Sequence, residues 1–187
     1  MKKIIIIIMV LILGCFSSAE THRIGKIKGN IWNEFTRNLL EIEIDFCYNV
    51  ETKEFSLLFN TPLNPIELVI SEEYRAEMEK SLRSFRRKLR QAELQEEKYD
   101  LELSVLPVAV CRFEKGKTWF DSQINSTTNF FSQSKDIHQF ILITSAMKEN
   151  GDGVMKRDGL TVYIDSSEIK GMQELFKEET FQKYQKK

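Results

Sequence analysis

The sequence predicts an α+β fold in which one long and one shorter helix pack on one face of an antiparallel sheet. Residues 40–50 alternate between apolar and polar side chains, and residues 71–97 repeat apolar side chains at helical spacing. Alternating segments return after residue 100 and are followed by a final short helix. Strands, a helix, strands and a helix in this order are typical of helices laid on an antiparallel sheet.

Composition supports one globular domain, and the sequence predicts that it covers residues 23–187. The chain has 187 residues, of which 42% are hydrophobic and 29% charged, so it has enough apolar material to bury a core. Its thirteen phenylalanines predict a core filled largely by aromatic rings. The formal net charge of −1 gives no global attraction to nucleic acid, so any anion binding must be local.

The first fifteen residues predict export. Lys2 and Lys3 precede an unbroken apolar run from Ile4 to Gly14. A membrane span needs about 20 apolar residues, so this run is too short to cross a bilayer. A positive start followed by a short apolar run and small residues is instead the pattern of a signal peptide. The alternative, a buried N-terminal strand of isoleucines, does not explain the two lysines.

The end of the apolar run contains a candidate lipid-attachment residue. Ile12-Leu13-Gly14-Cys15 resembles the lipobox of bacterial lipoprotein signal peptides. This resemblance covers residues 1–15 only and implies that Cys15 becomes the acylated first residue, which would anchor the mature chain in a membrane. Residues 16–22 would then be a short tether. The alternative is cleavage after Ala19 by ordinary signal peptidase, which would give a soluble periplasmic or secreted protein.

The first strands are predicted from two-residue alternation. Leu40 to Val50 has apolar side chains on one face and polar side chains on the other, as in a half-buried antiparallel strand. Residues 51–53 form a turn into 55–59, so residues 39–60 are predicted to form a hairpin. A weaker strand is predicted over 23–32, interrupted by glycines.

The long helix is predicted over 71–97, with Ser71 as its N-cap. The apolar positions recur every three or four residues and form one stripe over about six turns. Those positions are Tyr74, Met78, Leu82, Phe85, Leu89 and Ala92.

Further strands are predicted over 101–113, 118–120, 139–147 and 160–164. Pro107 lies inside the first of them and predicts an edge position or a bulge. Asn125-Ser126-Thr127 indicates a polar loop. Residues 149–153 and 157–159 are rich in glycine and carboxylates, but their spacing is not that of a calcium loop, so a turn is predicted. The last helix has apolar side chains at Ile169, Met172, Leu175 and Phe176.

Few residue patterns point to catalysis. The two histidines, His22 and His138, have no nearby nucleophile and no metal-ligand spacing. We therefore expect no cofactor and no metal, and we favour a non-enzymatic protein. Cys47 and Cys111 are a candidate disulfide in an oxidising compartment, or alternatively two small buried apolar residues.

The best candidate for binding is a stripe of four arginines on the long helix, beside its apolar face. Arg83 can pair with Glu79, and Arg90 can pair with Glu93. Arg86 and Arg87 have no acidic residue one helical turn away and could bind a phosphate or carboxylate. Alternatively, these arginines pair with strand carboxylates such as Glu41, Glu43 or Asp45, or simply remain solvated.

These features together predict an exported, membrane-anchored protein of the cell envelope that binds a protein or an anionic envelope component such as a glycopolymer. The alternative is a periplasmic hydrolase or small-ligand carrier with a pocket between sheet and helices. A carrier should have a deep apolar cavity, whereas a docking module should have a filled core and an exposed apolar or basic patch.

Overall fold

A computed structural model of the protein describes residues 21–33, 36–61, 64–95, 98–114, 117–148, 156–157 and 159–185. The predictions made for Cys15, for residues 16–20 and for the turn at 149–153 concern residues outside these ranges. Thr21 and His22, which were predicted to belong to the tether, are the first residues of a strand.

The described residues form an antiparallel barrel of eight strands with three helices. The barrel strands follow one another around the wall almost in chain order, and two further strands form a small separate ladder. The barrel strands are β1 (Thr21–Asn33), β2 (Asn38–Asn49), β3 (Glu54–Phe59), β4 (Ile66–Ile70), β5 (Tyr99–Glu114), β6 (Lys117–Ser134), β7 (Ile137–Thr144) and β10 (Thr161–Asp165). The small ladder joins β8 (Met147–Lys148) to β9 (Lys156–Arg157), and the helices are α1 (Glu72–Gln95), α2 (Ile169–Phe176) and α3 (Glu178–Gln185).

The predicted combination of an antiparallel sheet with helices is confirmed, but the sheet dominates the molecule and is closed. The hairpin predicted over 39–60 is formed by β2 and β3, and the long helix lies within two residues of its predicted ends. The last helical region consists of two short helices, where one was predicted.

The prediction of a polar loop at Asn125-Ser126-Thr127 was wrong. These residues lie inside β6, an 18-residue strand. Ser126 and Thr128 point inward and are buried. Thr128 is accommodated because its hydroxyl group lies 2.6 Å from that of Ser81 on α1 and 2.9 Å from that of Ser104 on β5. A buried hydroxyl group is tolerated when it has hydrogen-bond partners, and these two partners come from distant parts of the sequence.

The predicted bulge near Pro107 is confirmed. The register between β5 and β6 shifts between Val108 and Val110. Pro107 precedes the part of β5 that pairs with β4, which begins at Ala109. Its missing N–H therefore interrupts no pairing with β4.

Glycine allows β1 to lie close to its neighbours where the barrel closes. A Cβ atom on Gly29 would lie 2.7 Å from Cδ1 of Ile44 and 3.3 Å from Cγ1 of Val162 on β10. The pairing between β1 and β10 is short and joins Asn30 to Tyr163 and Ile31 to Val162. Gly29, one of the glycines that interrupt the predicted strand over 23–32, therefore leaves the space in which the barrel closes.

The core lies inside the barrel and beneath the helices, and the prediction of an aromatic core is confirmed. Eight phenylalanines are buried. Around α2 and α3, the ring of Phe176 lies 5.6 Å from that of Phe46, and the ring of Phe181 lies 4.9 Å from that of Phe55. Contacts of this kind between edges and faces stabilise a core beyond the burial of area alone.

Candidate anion-binding surface

Helix α1 is held in place by its apolar side. Met78, Leu82 and Phe85 are fully buried, and Ala92 is almost so. The ring of Phe85 contacts two inward-facing rings of the barrel, at 5.1 Å from Phe130 and 5.8 Å from Phe140. This burial fixes which side of the helix remains in water, since side chains three and four residues apart share a face.

The exposed side of α1 carries a run of positive charge. Between Lys80 and Ala92 there are six cations and no carboxylate. All four predicted arginines are exposed, so the structure brings them together on one helix as expected. We call these six side chains the basic face: Lys80, Arg83, Arg86, Arg87, Lys88 and Arg90.

Within the part of the chain that the structure describes, carboxylates neutralise only the beginning of the basic face. Lys80 pairs with Glu77 at 3.4 Å, and Arg83 pairs with Glu79 as predicted. The guanidinium group of Arg86 donates a hydrogen bond of 3.0 Å to the side-chain oxygen of Gln173 on α2, a neutral partner. Among the described residues no carboxylate pairs with Arg86, Arg87, Lys88 or Arg90. The pairing of Arg90 with Glu93 is therefore absent.

The strand carboxylates that could have paired with these arginines have other partners. On the outer wall of the barrel, Lys26 pairs with Glu43 at 2.6 Å and Lys28 pairs with Glu41 at 2.9 Å. Asp45 pairs with Arg23 of the same strand β1. These are diagonal cross-strand pairs between β1 and β2. The carboxylates on the outer face of β2 are thus paired with cations of β1. The alternative in which these carboxylates neutralise the arginines of α1 does not hold.

Sequence reasoning did not identify Arg75 as a structural residue. Its guanidinium group donates a 2.9 Å hydrogen bond to the backbone oxygen of Phe176 and lies 5.2 Å from the ring centroid of Phe181. It therefore connects α1 to α2 and α3. These partners are about a hundred residues away, so no local pattern indicates them.

Arginine suits the binding of anions such as phosphate. The guanidinium group is planar and can donate two parallel hydrogen bonds to one phosphate or carboxylate group. Each exposed charge contributes little alone because water and salt screen it. Several cations on one face act together, and each contributes about 1 kcal/mol at an anionic membrane surface.

A second candidate is a cavity of about 390 Å³ on the outer wall, lined by residues of β1 to β6. Its lining includes Cys47, Ser56, Glu67 and Cys111. Burial raises the pKa of the Glu67 carboxyl group, although a hydrogen bond from Ser56 opposes the shift. Burial, together with the charges of Asp45 and Glu67, also raises the pKa of the Cys47 thiol. A thiol with a raised pKa is a poor nucleophile at neutral pH.

The disulfide between Cys47 and Cys111 does not fit this arrangement. Both thiols are free. Cys47 lies on β2 and Cys111 on β5, and both β3 and β4 lie between them. Neighbouring strands are about 4.8 Å apart, so three steps separate the two residues by about 14 Å along the sheet. A disulfide needs Cα atoms within about 7 Å.

Both histidines have structural partners. The ring nitrogens of His138 lie 3.0 Å from the hydroxyl oxygen of Ser132 and 2.7 Å from the backbone oxygen of Lys135. The ring of His22 stacks on that of Tyr184 at 4.6 Å. These contacts place one histidine in the core and use the other to join β1 to α3.

Within the described ranges, no group of three or more histidine, cysteine or acidic side chains is arranged to hold a metal ion. Over the same ranges, no helix has both the length and the apolar character needed to cross a membrane.

Comparisons with protein-family models, with curated proteins and with solved structures find no match for this chain.

Proposed function

We propose that the protein is exported, is anchored to a membrane through a lipid on Cys15, and binds an anionic component of the cell envelope through the basic face of α1. The observation that carries the binding proposal is the run of six cations without a carboxylate on the exposed side of one helix. Four of these cations lack a carboxylate partner among the described residues.

The placement of the aromatic rings favours this binding role over a carrier with a pocket between sheet and helices. Phe85 contacts Phe130 and Phe140 where α1 meets the barrel, and Phe55 contacts Phe176 and Phe181 where α2 and α3 meet it. One cavity lined by the described residues lies instead on the outer wall. A filled contact between helices and sheet with a basic patch outside is the pattern expected of a docking module.

The binding part of the proposal predicts salt-dependent association with a polyanion. Inorganic polyphosphate is a suitable probe because it presents phosphate groups without lipid or sugar. We expect binding at low ionic strength that weakens steeply as salt is raised, since exposed charges are screened beyond about 8 Å at physiological ionic strength. Uncharged dextran is the control. Equal affinity at low and high salt, or no affinity for polyphosphate, would contradict the proposal.

The anchoring part of the proposal predicts that Cys15 is the acylated first residue of the mature protein. Mass spectrometry of the membrane fraction should find an N-terminal peptide that begins with a lipid-modified Cys15. Cys15→Ala should prevent this modification. A soluble mature chain beginning at Glu20 would show that ordinary cleavage after Ala19 occurs instead.

A further inference from the structure

We infer that the anionic component is the phospholipid headgroup layer of the membrane that carries the anchor, and that the domain lies on this layer with its helices toward the lipid. The inference rests on the proposed function and adds an orientation and a ligand class to it. It depends on three features: the end of the barrel at which the chain enters, the elements that cover that end, and the reach of the tether.

The connectivity of the barrel gives it two distinct ends. Successive strands run in opposite directions, so alternate connections lie at the same end. The connections β1–β2, β3–β4, β5–β6 and β7–β10 lie at one end, which we call the hairpin end. The other end, which we call the helix end, holds Thr21, α1, α2 and α3 together with the turns β2–β3 and β6–β7.

The helices cover the helix end. Phe181 of α3 contacts Tyr48, which is one residue from the end of β2, and Phe55, which is the second residue of β3. Phe85 of α1 contacts Phe140, the fourth residue of β7, and Phe130, four residues before the end of β6. All four strand residues point inward near the helix end, so the opposite, exposed side of α1 points away from the barrel.

The tether keeps the helix end close to the membrane. Six residue steps separate Cys15 from Thr21, the first residue of β1, and an extended chain covers about 3.3–3.6 Å per residue. Thr21, at the helix end, therefore cannot lie more than about 22 Å from an anchor at Cys15. Stacking of His22 on Tyr184 of α3 further holds the start of β1 against the helices. The basic face is thus confined near headgroups of opposite charge, and anionic lipids attract such clusters of cations.

The two native tryptophans make the orientation measurable. Trp32 is half exposed at 49% and lies at the hairpin end of β1, and Trp119 is the third residue of β6, which begins at the same end. Gln91 is exposed on α1, four residues from Arg87. A tryptophan placed at this position would report contact between the basic face and lipid.

The experiment uses the mature lipidated protein in vesicles of phosphatidylcholine and phosphatidylglycerol whose acyl chains are brominated, since bromine quenches nearby tryptophan. Native Trp32 and Trp119 should keep the emission that they have in unbrominated vesicles. Gln91→Trp in a Trp32→Phe, Trp119→Phe background should lose emission in brominated vesicles. This loss should disappear in brominated phosphatidylcholine alone or at high salt.

Two results would overturn the inference. Quenching of the native tryptophans without quenching of the Gln91→Trp protein would place the hairpin end on the membrane. No quenching of either, with polyphosphate binding intact, would mean that the basic face binds a different envelope anion, such as a glycopolymer, and would leave the proposed function standing. Failure of the proposed function can be distinguished from failure of this inference. In that case, mass spectrometry of the same sample would show an unlipidated chain, or the polyphosphate assay would show no binding.

Discussion

Glu67 lies on the outer wall of β4 and is partly buried. Burial raises the pKa of this group in the folded state. An acid with a raised folded pKa keeps its proton to higher pH than it does in the unfolded chain. Stability is therefore lost as the pH rises from the unfolded pKa, about 4.3, through the folded pKa.

Glu67→Gln should accordingly raise the melting temperature at pH 7 relative to the native protein, and the difference should vanish near pH 4. Glu43→Gln is a matched control of opposite sign, because the hydrogen bond and charge of Lys26 lower the pKa of Glu43. Its removal should slightly reduce stability at pH 7. Thermal melts followed by circular dichroism at the two pH values measure both effects. A Glu67→Gln protein that is less stable than the native protein at pH 7 would refute this account of Glu67.

The burial of some single residues could be predicted from the sequence, and that of others could not. The burial of Met78, Leu82 and Phe85 could be predicted because their spacing is local. The burial of Thr128 could not, because its partners Ser81 and Ser104 come from other elements. A threonine in a polar segment has the same local pattern whether it faces water or two hydroxyl groups.

At the scale of elements, α1 was predictable and β6 was not. The helix has one apolar stripe with cations beside it, which defines both its length and its exposed face. The strand β6 contains four serines and two asparagines, residue types that are typical of turns and loops. It is a strand because β5 and β7 pair with it on both sides. Tertiary pairing outweighs local preference in such strands.

The position of the four arginines on one face of α1 was also predictable from the sequence, but the residues that contact them were not. The four arginines share a helical face by spacing alone. The contact of Arg86 with Gln173 joins residues 87 apart in sequence. Cations of β1 neutralise the carboxylates of β2. Both sets of contacts form only in the folded barrel. The contacts with more distant elements decide which cations remain without a carboxylate.

At the scale of the whole molecule, closure of the barrel was the main feature that the sequence did not reveal. An alternating strand looks the same in an open sheet and in a barrel. Closure requires β1 to pair with β10 and depends on the space beside Gly29, which involves three strands. It also gives the molecule a helix end and a hairpin end, and the orientation proposed on the membrane follows from these two ends.

The most direct test of the central claim compares two charge-matched variants for binding to polyphosphate. Arg87→Gln with Arg90→Gln removes two cations from the basic face, whereas Lys26→Gln with Lys28→Gln removes two from the outer wall. Each cation contributes about 1 kcal/mol at an anionic membrane surface, and on the same scale the loss of two arginines should cost about 2 kcal/mol, which is roughly a 30-fold loss of affinity for polyphosphate. The melting temperature should change little, and the lysine pair should bind nearly as the native protein does. An equal loss in both variants would mean that only net charge matters, and unchanged binding in the arginine variant would contradict the claim outright.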